Sequence, residues 1–410
     1  MRLLCPDCEA DFALDHTQHV CPCGQLLEVQ HDSVPTTLTP STFCDSGVWR
    51  FADWVDPDLA VDQRVSLIEG RTPLHHSDQI ARYIGLQRLR IKHEGRNPTG
   101  SFKDRGMTVA ISRARAHGHV RVACASTGNT SASMAAYAAA AGMDAVVLVP
   151  DGAVALGKMS QAMAHGARTL RVQGDFDQAM SLVRELALEG ELGLMNSLNP
   201  FRLEGQKTIL LEILEAMQGD PPDWFVFPAG NLGNCAAFGK LLRELSAAGS
   251  GGPKPRLAAV QAAGASPFAD AFTRGFHSLR PQTAKTRATA IRIGAPVSYA
   301  RAVRAIQETN GTVTSVDDEE IFAAKTIVDT AGLGAEPASC ASIAGARKLV
   351  QNGTIHKNAN VVCLLTGHLL KDTEATLESI TDAESKGAPP RTILVSANLP
   401  SIRQALNATE

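Results

Sequence analysis

From about Gln87 onward the chain alternates short apolar, β-rich runs with stretches of helical character, and few architectures accept that order. Runs at 89–93, 120–125, 145–150 and 169–173 are separated by helical stretches at 103–117, 130–141, 156–165 and 176–188. Strands spaced by helices of that length build βαβ units on a parallel sheet. The alternation resumes after Asn199, with helices at 204–217, 235–247, 299–309, 317–330 and 339–351. Strands at 224–228, 256–261 and 360–365 lie among them. Residues 266–296 read as a loop-rich insertion, and the apolar run 392–395 is expected to dock on the surface. At 410 residues the chain exceeds what one core normally fills. The expectation is an α/β protein with two open, twisted parallel-sheet domains and a cleft where their strand ends meet. Its boundaries are a small unit at 1–30, a linker and the start of a large domain at 31–95, a small α/β domain at 96–195, and the large domain continued at 196–410.

Cysteine spacing sets the start of the chain apart. Cys5, Cys8, Cys21 and Cys23 crowd together, whereas Cys44, Cys124, Cys235, Cys340 and Cys363 stand singly. Residues 1–8 lack a basic region leading into a long apolar stretch, so no secretory signal is expected and the cytoplasm is the expected compartment. There, a close cluster argues for a metal site rather than disulfides. The single cysteines read as small apolar core residues, and His16 and His19 are expected on the surface. A net charge of −3 gives no reason for a nucleic-acid or membrane-surface partner. No apolar run approaches the roughly 20 residues of a membrane span.

Five turns carry residues that could do chemistry. In the stretch 97–104, Pro98 and Gly100 force a turn and Lys103 stands where a helix begins. The helix terminus disfavours its ammonium and keeps the amine available for attack on a carbonyl; an ordinary exposed lysine is the plainer reading. Ser126, Thr127, Asn129 and Thr130 follow a strand and open an Ala-rich helix, as either helix caps or a pocket for a carboxylate or phosphate. Gly230, Asn231, Leu232, Gly233 and Asn234 lie between a strand and a helix, where glycines let the backbone approach an anion; a structural turn serves equally. Asn196, Ser197 and Arg202 precede a helix and could hold a second phosphate, or form a solvated loop. Thr366 ends an apolar strand, where its hydroxyl either meets a ring nitrogen or caps the next turn. All five turns fall at strand C-termini or just beyond, where open α/β sheets build ligand sites.

At these residues the chain resembles the threonine synthases, within the fold-type II pyridoxal 5′-phosphate (PLP) enzymes. The likeness runs from about Val65 to Asp372. It includes Glu69-Gly70-Arg71-Thr72-Pro73-Leu74 and Ala155-Leu156-Gly157-Lys158, and Arg71 departs from the small polar residue expected there. Residues 97–105 are similar to the lysine motif of the wider superfamily, and 196–206 to threonine synthase specifically.

The resemblance implies that Lys103 holds PLP as a Schiff base and shuttles protons. Asn129 would bond the 3′-oxygen, Gly230 to Asn234 the cofactor phosphate, and Thr366 the pyridine nitrogen. Ser126, Thr127 and Thr130 would take the substrate carboxylate, while Asn196, Ser197 and Arg202 take the substrate phosphate; Lys158 is a candidate for the cleft wall. Cys5, Cys8, Cys21 and Cys23 look like the small zinc ribbon of some family members. Four thiolates suit structural Zn²⁺, and its binding supplies folding energy that so short a segment lacks. The final Cys-x-Cys is tighter than the usual Cys-x₂-Cys, and free or oxidised thiols are the alternative.

The implied reaction is conversion of O-phospho-L-homoserine and water to L-threonine and phosphate, in a homodimer with a phosphorylated amino acid as substrate. The alternatives are cysteate synthase acting on O-phosphoserine, a threonine/serine ammonia-lyase, and a non-catalytic amino-acid sensor. The lyase has no need of Arg202, and a sensor none of Lys103.

Overall fold

The computed structural model describes residues 1–40, 44–152, 156–249, 252, 254–385 and 387–407, the side chains of 156–158 and 383 excepted. The chain opens on a three-stranded antiparallel ribbon of order β2-β1-β3, with β1 at Arg2–Leu4, β2 at Asp11–Phe12 and β3 at Glu28–Gln30. Strands β4 (Leu74–His75) and β5 (Arg88–His93) then enter a six-stranded sheet. Strands β6 (Arg121–Ala125), β7 (Asp144–Pro150), β8 (Arg168–Val172) and β9 (Gly193–Leu194) form a sheet of their own, ordered β8-β7-β6-β9. The chain returns to the first sheet with β10 (Trp224–Pro228), β11 (Arg256–Ala262), β12 (Thr312–Val316) and β13 (Asn360–Leu365), giving the order β12-β11-β10-β13-β5-β4. Every pairing in these two sheets is parallel except β4 with β5.

Parallel strands with helices on both faces must be apolar on both faces. In the large sheet, Phe225, Phe227, Leu257 and Leu364 pack into one core with Phe238, Leu241 and Ile306. Their neighbours Val226, Ala258, Val260 and Cys363 face the other way, into a core with Cys340, Ala341 and Val328. The small sheet repeats the pattern, with Cys124 and Val147 on one side and Ala123, Val146 and Leu148 on the other.

The helix Lys103–Ala116 crosses the short helix Phe201–Gln206 so closely that only glycine fits at the contact. A Cβ on Gly106 would stand 2.8 Å from the Arg202 carbonyl oxygen, and one on Gly205 would fall on the Arg105 carbonyl. Lys207 then separates this helix from Thr208–Ala216, so the single helix expected at 204–217 is two. Buried ion pairs fasten the same region. Arg105 bonds Glu94 through Nε at 2.6 Å and Glu212 through Nη2 at 2.7 Å, and Lys92 reaches Glu212 at 2.6 Å. Despite burial, the opposed charges of Arg105 and Lys92 hold Glu212 down at about 2. A second buried cluster ties the ribbon's exit to the body: the His31 imidazole lies 2.7 Å from Glu204, which also accepts from Lys207 at 2.6 Å and is ion-paired with Lys240 at 2.7 Å.

Two further points depart from the sequence pattern. The apolar run 392–395 does not dock: Leu394 is fully exposed, Ile393 and Val395 are exposed, and no strand forms there. Strands β4, β9 and β12 have no counterpart in the sequence pattern, being either two residues long or rich in Thr and Ser. Residues 266–296 are loop-rich as expected, apart from the helix Pro267–Thr273 and the turn Thr289–Ile291, and are clamped by backbone bonds from Lys285 N–H to Gly264 and from Gln282 N–H to Gly294, both carbonyls. That clamp brings Ile291 against Gly230, where an added Cβ would meet its Cα at 3.1 Å. The expected core cysteines Cys124, Cys235, Cys340 and Cys363 are buried, and Cys44 is half-buried.

Because the Gly205 contact is backbone against backbone, Gly205→Ala should destabilise the chain by about 3 kcal/mol, the upper end of ordinary overpacking. Denaturant unfolding compared with Gly233→Ala, whose added Cβ meets only the end of the Gln206 side chain, checks it.

Candidate active site

Lys103 is the first residue of its helix, half-buried, its ammonium 4.3 Å from the centre of the Phe102 ring. Burial first, and then the Arg202 guanidinium, lower its pKa to about 7, against an opposing pull from Glu336. The loop ahead of it is stitched to the end of β13: Phe102 N–H donates to the Thr366 carbonyl at 2.9 Å and His368 N–H to the Gly100 carbonyl at 2.9 Å. Gly100 takes a φ of +83° in this turn, which suits glycine.

Thr366 is buried, its hydroxyl 2.9 Å from that of Ser339. One residue on, Gly367 accepts from the Glu336 N–H at 3.1 Å, and the Glu336 carboxylate accepts from the Asn129 amide at 3.1 and 3.3 Å. Asn129 heads the helix Asn129–Ala141 directly beyond β6. Ser126, Thr127 and Thr130 surround that turn, all half-buried. The Ser126 hydroxyl accepts from Gly128 N–H at 3.3 Å, while Thr127 and Thr130 have no side-chain hydrogen bond among the described residues.

Asn196 places both ends of its amide on the Ala125 backbone, at 3.0 Å each, extending the pairing of β6 past its end. Ser197 accepts from Asn231 at 3.3 Å and so joins the second anion motif to the glycine turn. Arg202 is buried and donates to the Met195 carbonyl at 3.1 Å. It has no carboxylate partner among the described residues; its Nε is buried without a partner, and burial lowers its pKa to about 10. A buried guanidinium so placed lacks the anion it would ordinarily have. Lys158 lies in the helix Leu156–Ala164, but its side chain is outside the described residues.

The glycine turn fits a phosphate. Leu232 holds a φ of +65°, and the helix Gly233–Ala247 starts without a side-chain cap, leaving its first N–H groups for another acceptor. The Ser298 hydroxyl, a donor a phosphate oxygen would accept, is buried there without a partner. The five segments therefore form one linked set, through Phe102–Thr366, Gly367–Glu336–Asn129, Ala125–Asn196 and Ser197–Asn231.

Residues 65–367 match the family described as pyridoxal-phosphate dependent enzyme. The threonine synthase of Methanosarcina acetivorans is 44% identical over 99% of this chain and 98% of its own, and that of Methanocaldococcus jannaschii 42% identical over 92% and 94%. The chain belongs to the threonine synthases of that family. PLP is accordingly its cofactor. Two solved structures share the fold: threonine synthase from Escherichia coli (TM-score 0.73, 18% identity, all of both chains) and a threonine deaminase from Solanum lycopersicum (0.65, 20%, 85% of this chain and 99% of that one). Sequence reasoning missed Glu336, Ser339 and Ser298. A Glu ahead of a proline in the first helical turn was the available signal for Glu336.

In the ribbon, the ligand atoms of Cys5, Cys8, Cys21 and Cys23 all lie within 4.8 Å of one another. Four thiolates at about 2.3 Å from a tetrahedral Zn²⁺ suit that spread. The tight Cys-x-Cys is accommodated because Gly24, at φ +93°, turns the chain back to bond the Cys21 carbonyl at 2.8 Å. His31, Glu204 and Glu244 also converge, but Lys207 and Lys240 already neutralise them. His16 and His19 are not on the surface, as expected from sequence, but half-buried beside a small cavity shared with His117 and His119. Ribbon residues 14–19 lie over the helix Lys103–Ala116, which removes these imidazoles from water.

Purified protein should carry one zinc per chain by elemental analysis, and Cys21→Ser should lose it together with the ribbon's protease resistance. Burial, then His16, His119, Arg301 and His117, lower His19 from its usual 6.5 to about 4. The unfolded chain thus takes up this proton first, and stability from neutral His19 is complete above pH 6.5 and lost as the pH falls toward 4. Denaturation midpoints measured across that window should fall, and His19→Gln should flatten the fall.

Proposed function

We propose that the chain converts O-phospho-L-homoserine and water to L-threonine and phosphate, with Lys103 as its catalytic residue. The observation that carries the reading is the buried Arg202, without a carboxylate partner among the described residues, within electrostatic reach of a lysine whose pKa is lowered to about 7. A second anion site beside a reactive amine fits a substrate with both a phosphate and an amino group.

When bound, PLP supplies an electron sink for the carbon bearing the substrate's amino group. The cofactor phosphate would lie on Gly230 to Asn234 with Ser298, its pyridine nitrogen at Thr366 and its 3′-oxygen at Asn129. Ser126, Thr127 and Thr130 would hold the substrate carboxylate. Lys103, whose pKa near neutrality suits a group that both accepts and returns protons, would take the proton from Cα. A second proton would leave Cβ as phosphate departs from Cγ, Cγ would gain a proton, and the Cα proton would be restored after water has added at Cβ. Arg202, with Ser197 and the Asn196 turn, would fix the substrate phosphate and stabilise its charge as it leaves Cγ. An ammonia-lyase would leave Arg202 without a task. The proposal extends to a homodimer in the cytoplasm, with units at 1–30, 96–195, and 31–95 with 196–410. Among the described residues no helix is long and apolar enough to cross a membrane.

Given O-phospho-L-homoserine, the PLP-loaded protein should release phosphate and L-threonine in equal amounts, and Lys103→Ala should abolish both. Arg202→Gln should lower kcat/KM by about a hundredfold, as expected for removing a charged hydrogen-bond donor at the leaving group. A PLP-loaded protein inert to this substrate but active on O-phosphoserine with sulfite would overturn the reading in favour of cysteate synthase.

A further inference from the structure

We propose that Glu336 is a positioning residue of this site, orienting the Asn129 amide toward the cofactor and placing a carboxylate over Gly367, which is bridged to Ser101 in the loop that carries Lys103. The inference rests on the proposed function, in which Lys103 and Asn129 hold PLP.

Glu336 immediately precedes Pro337, the first residue of the helix Pro337–Gln351, and only 4% of it is exposed. Its backbone is bonded to Gly367, and its carboxylate lies over that glycine: a Cβ on Gly367 would sit 2.5 Å from Oε1. Glycine at that position makes room for this one side chain. Its oxygens accept from Asn129 Nδ2 at 3.1 and 3.3 Å. Both carboxylate oxygens accept from the same nitrogen, so the amide group turned toward them is NH₂. That fixes which way Asn129 points and leaves the remaining amide hydrogen for a neighbouring acceptor.

Among the described residues no cation lies within ion-pair distance of Glu336, although its electrostatic neighbours include Lys371 and Lys103, with Asp372 opposing them. The Lys371 ammonium donates instead to the Thr99 carbonyl at 3.2 Å and to Gln161. An uncompensated carboxylate is costly in a buried place. Its burial raises its pKa, and its charge raises that of Lys103 against the effect of Arg202. Glu336 therefore favours a proton on the Lys103 nitrogen, whereas Arg202 favours its removal.

Two substitutions separate the roles. Glu336→Gln keeps an acceptor for Asn129 and removes the charge; Glu336→Asp keeps the charge and shortens the reach. The readouts, on PLP-loaded protein, are the pH titration of the visible band of lysine-bound cofactor and the PLP dissociation constant. For Glu336→Gln the band's pKa should fall by about one unit, the effect of losing one nearby opposite charge. For Glu336→Asp the titration should stay in place while PLP binding weakens about fivefold, the loss of one hydrogen bond. Unchanged titration in the first variant and unchanged affinity in the second would overturn the inference. A wild-type protein without a visible band, or Lys103→Ala retaining one, would overturn the site reading itself and this inference with it.

Discussion

The buried Arg105 guanidinium is the interaction on which the geometry of the site depends. It sits two residues beyond Lys103 and bonds Glu94, just past β5, and Glu212, in the helix Thr208–Ala216. Fixing Arg105 therefore fixes the start of the Lys103 helix against the central sheet. Burying a guanidinium and two carboxylates costs solvation, and their mutual attraction offsets it only when every donor is used. Here all three guanidinium nitrogens have partners, with Thr72 and Thr208 taking part and Lys92 adding a second cation to Glu212. Removing one member strands the others, at a cost of about 3–5 kcal/mol. The network thus specifies one arrangement of the elements that must place Lys103, whether or not it adds net stability.

The glycine crossing at Gly106 and Gly205 works with it. Backbone contact there brings Arg202, on the short helix, to the Lys103 helix, so the two charged groups of the site are set by one crossing. The other side of the short helix carries Glu204, which with Lys207, Lys240 and His31 draws in the chain leaving the ribbon. Ribbon, Lys103 helix and Arg202 are thereby coupled through one short helix.

Much of this was legible in the sequence because the βαβ alternation and the turn chemistry are local signals. The strands from Arg88 to Leu365 announced themselves where their residues are apolar on both faces. β12, with Thr312, Thr314 and Ser315, did not, because its place beside β11 is decided by packing rather than by its own residues. The five motif turns were visible for the same local reason, and the structure links all of them. Glu336 was not visible. An acid before a helical proline is an ordinary cap by sequence, and its role depends on Gly367 and Asn129, far from it in the chain. His16 and His19 misled in the opposite sense: polar residues in a short loop look exposed until the Lys103 helix is packed over them.

Arg202 and Glu336 share a feature that distinguishes them from the Arg105 network. Each is a buried charge without an ion-pair partner among the described residues, and each flanks Lys103 with opposite sign. A fold that pairs Arg105, Arg113 and Lys240 with carboxylates has the means to pair these two as well, and leaves them apart. Chains tolerate such cost where a ligand completes the charge. On the proposed function, an anionic substrate would partner Arg202 and a cationic nitrogen at Lys103 would offset Glu336, so that the desolvation cost of folding would become selectivity for a molecule carrying a phosphate and an amine.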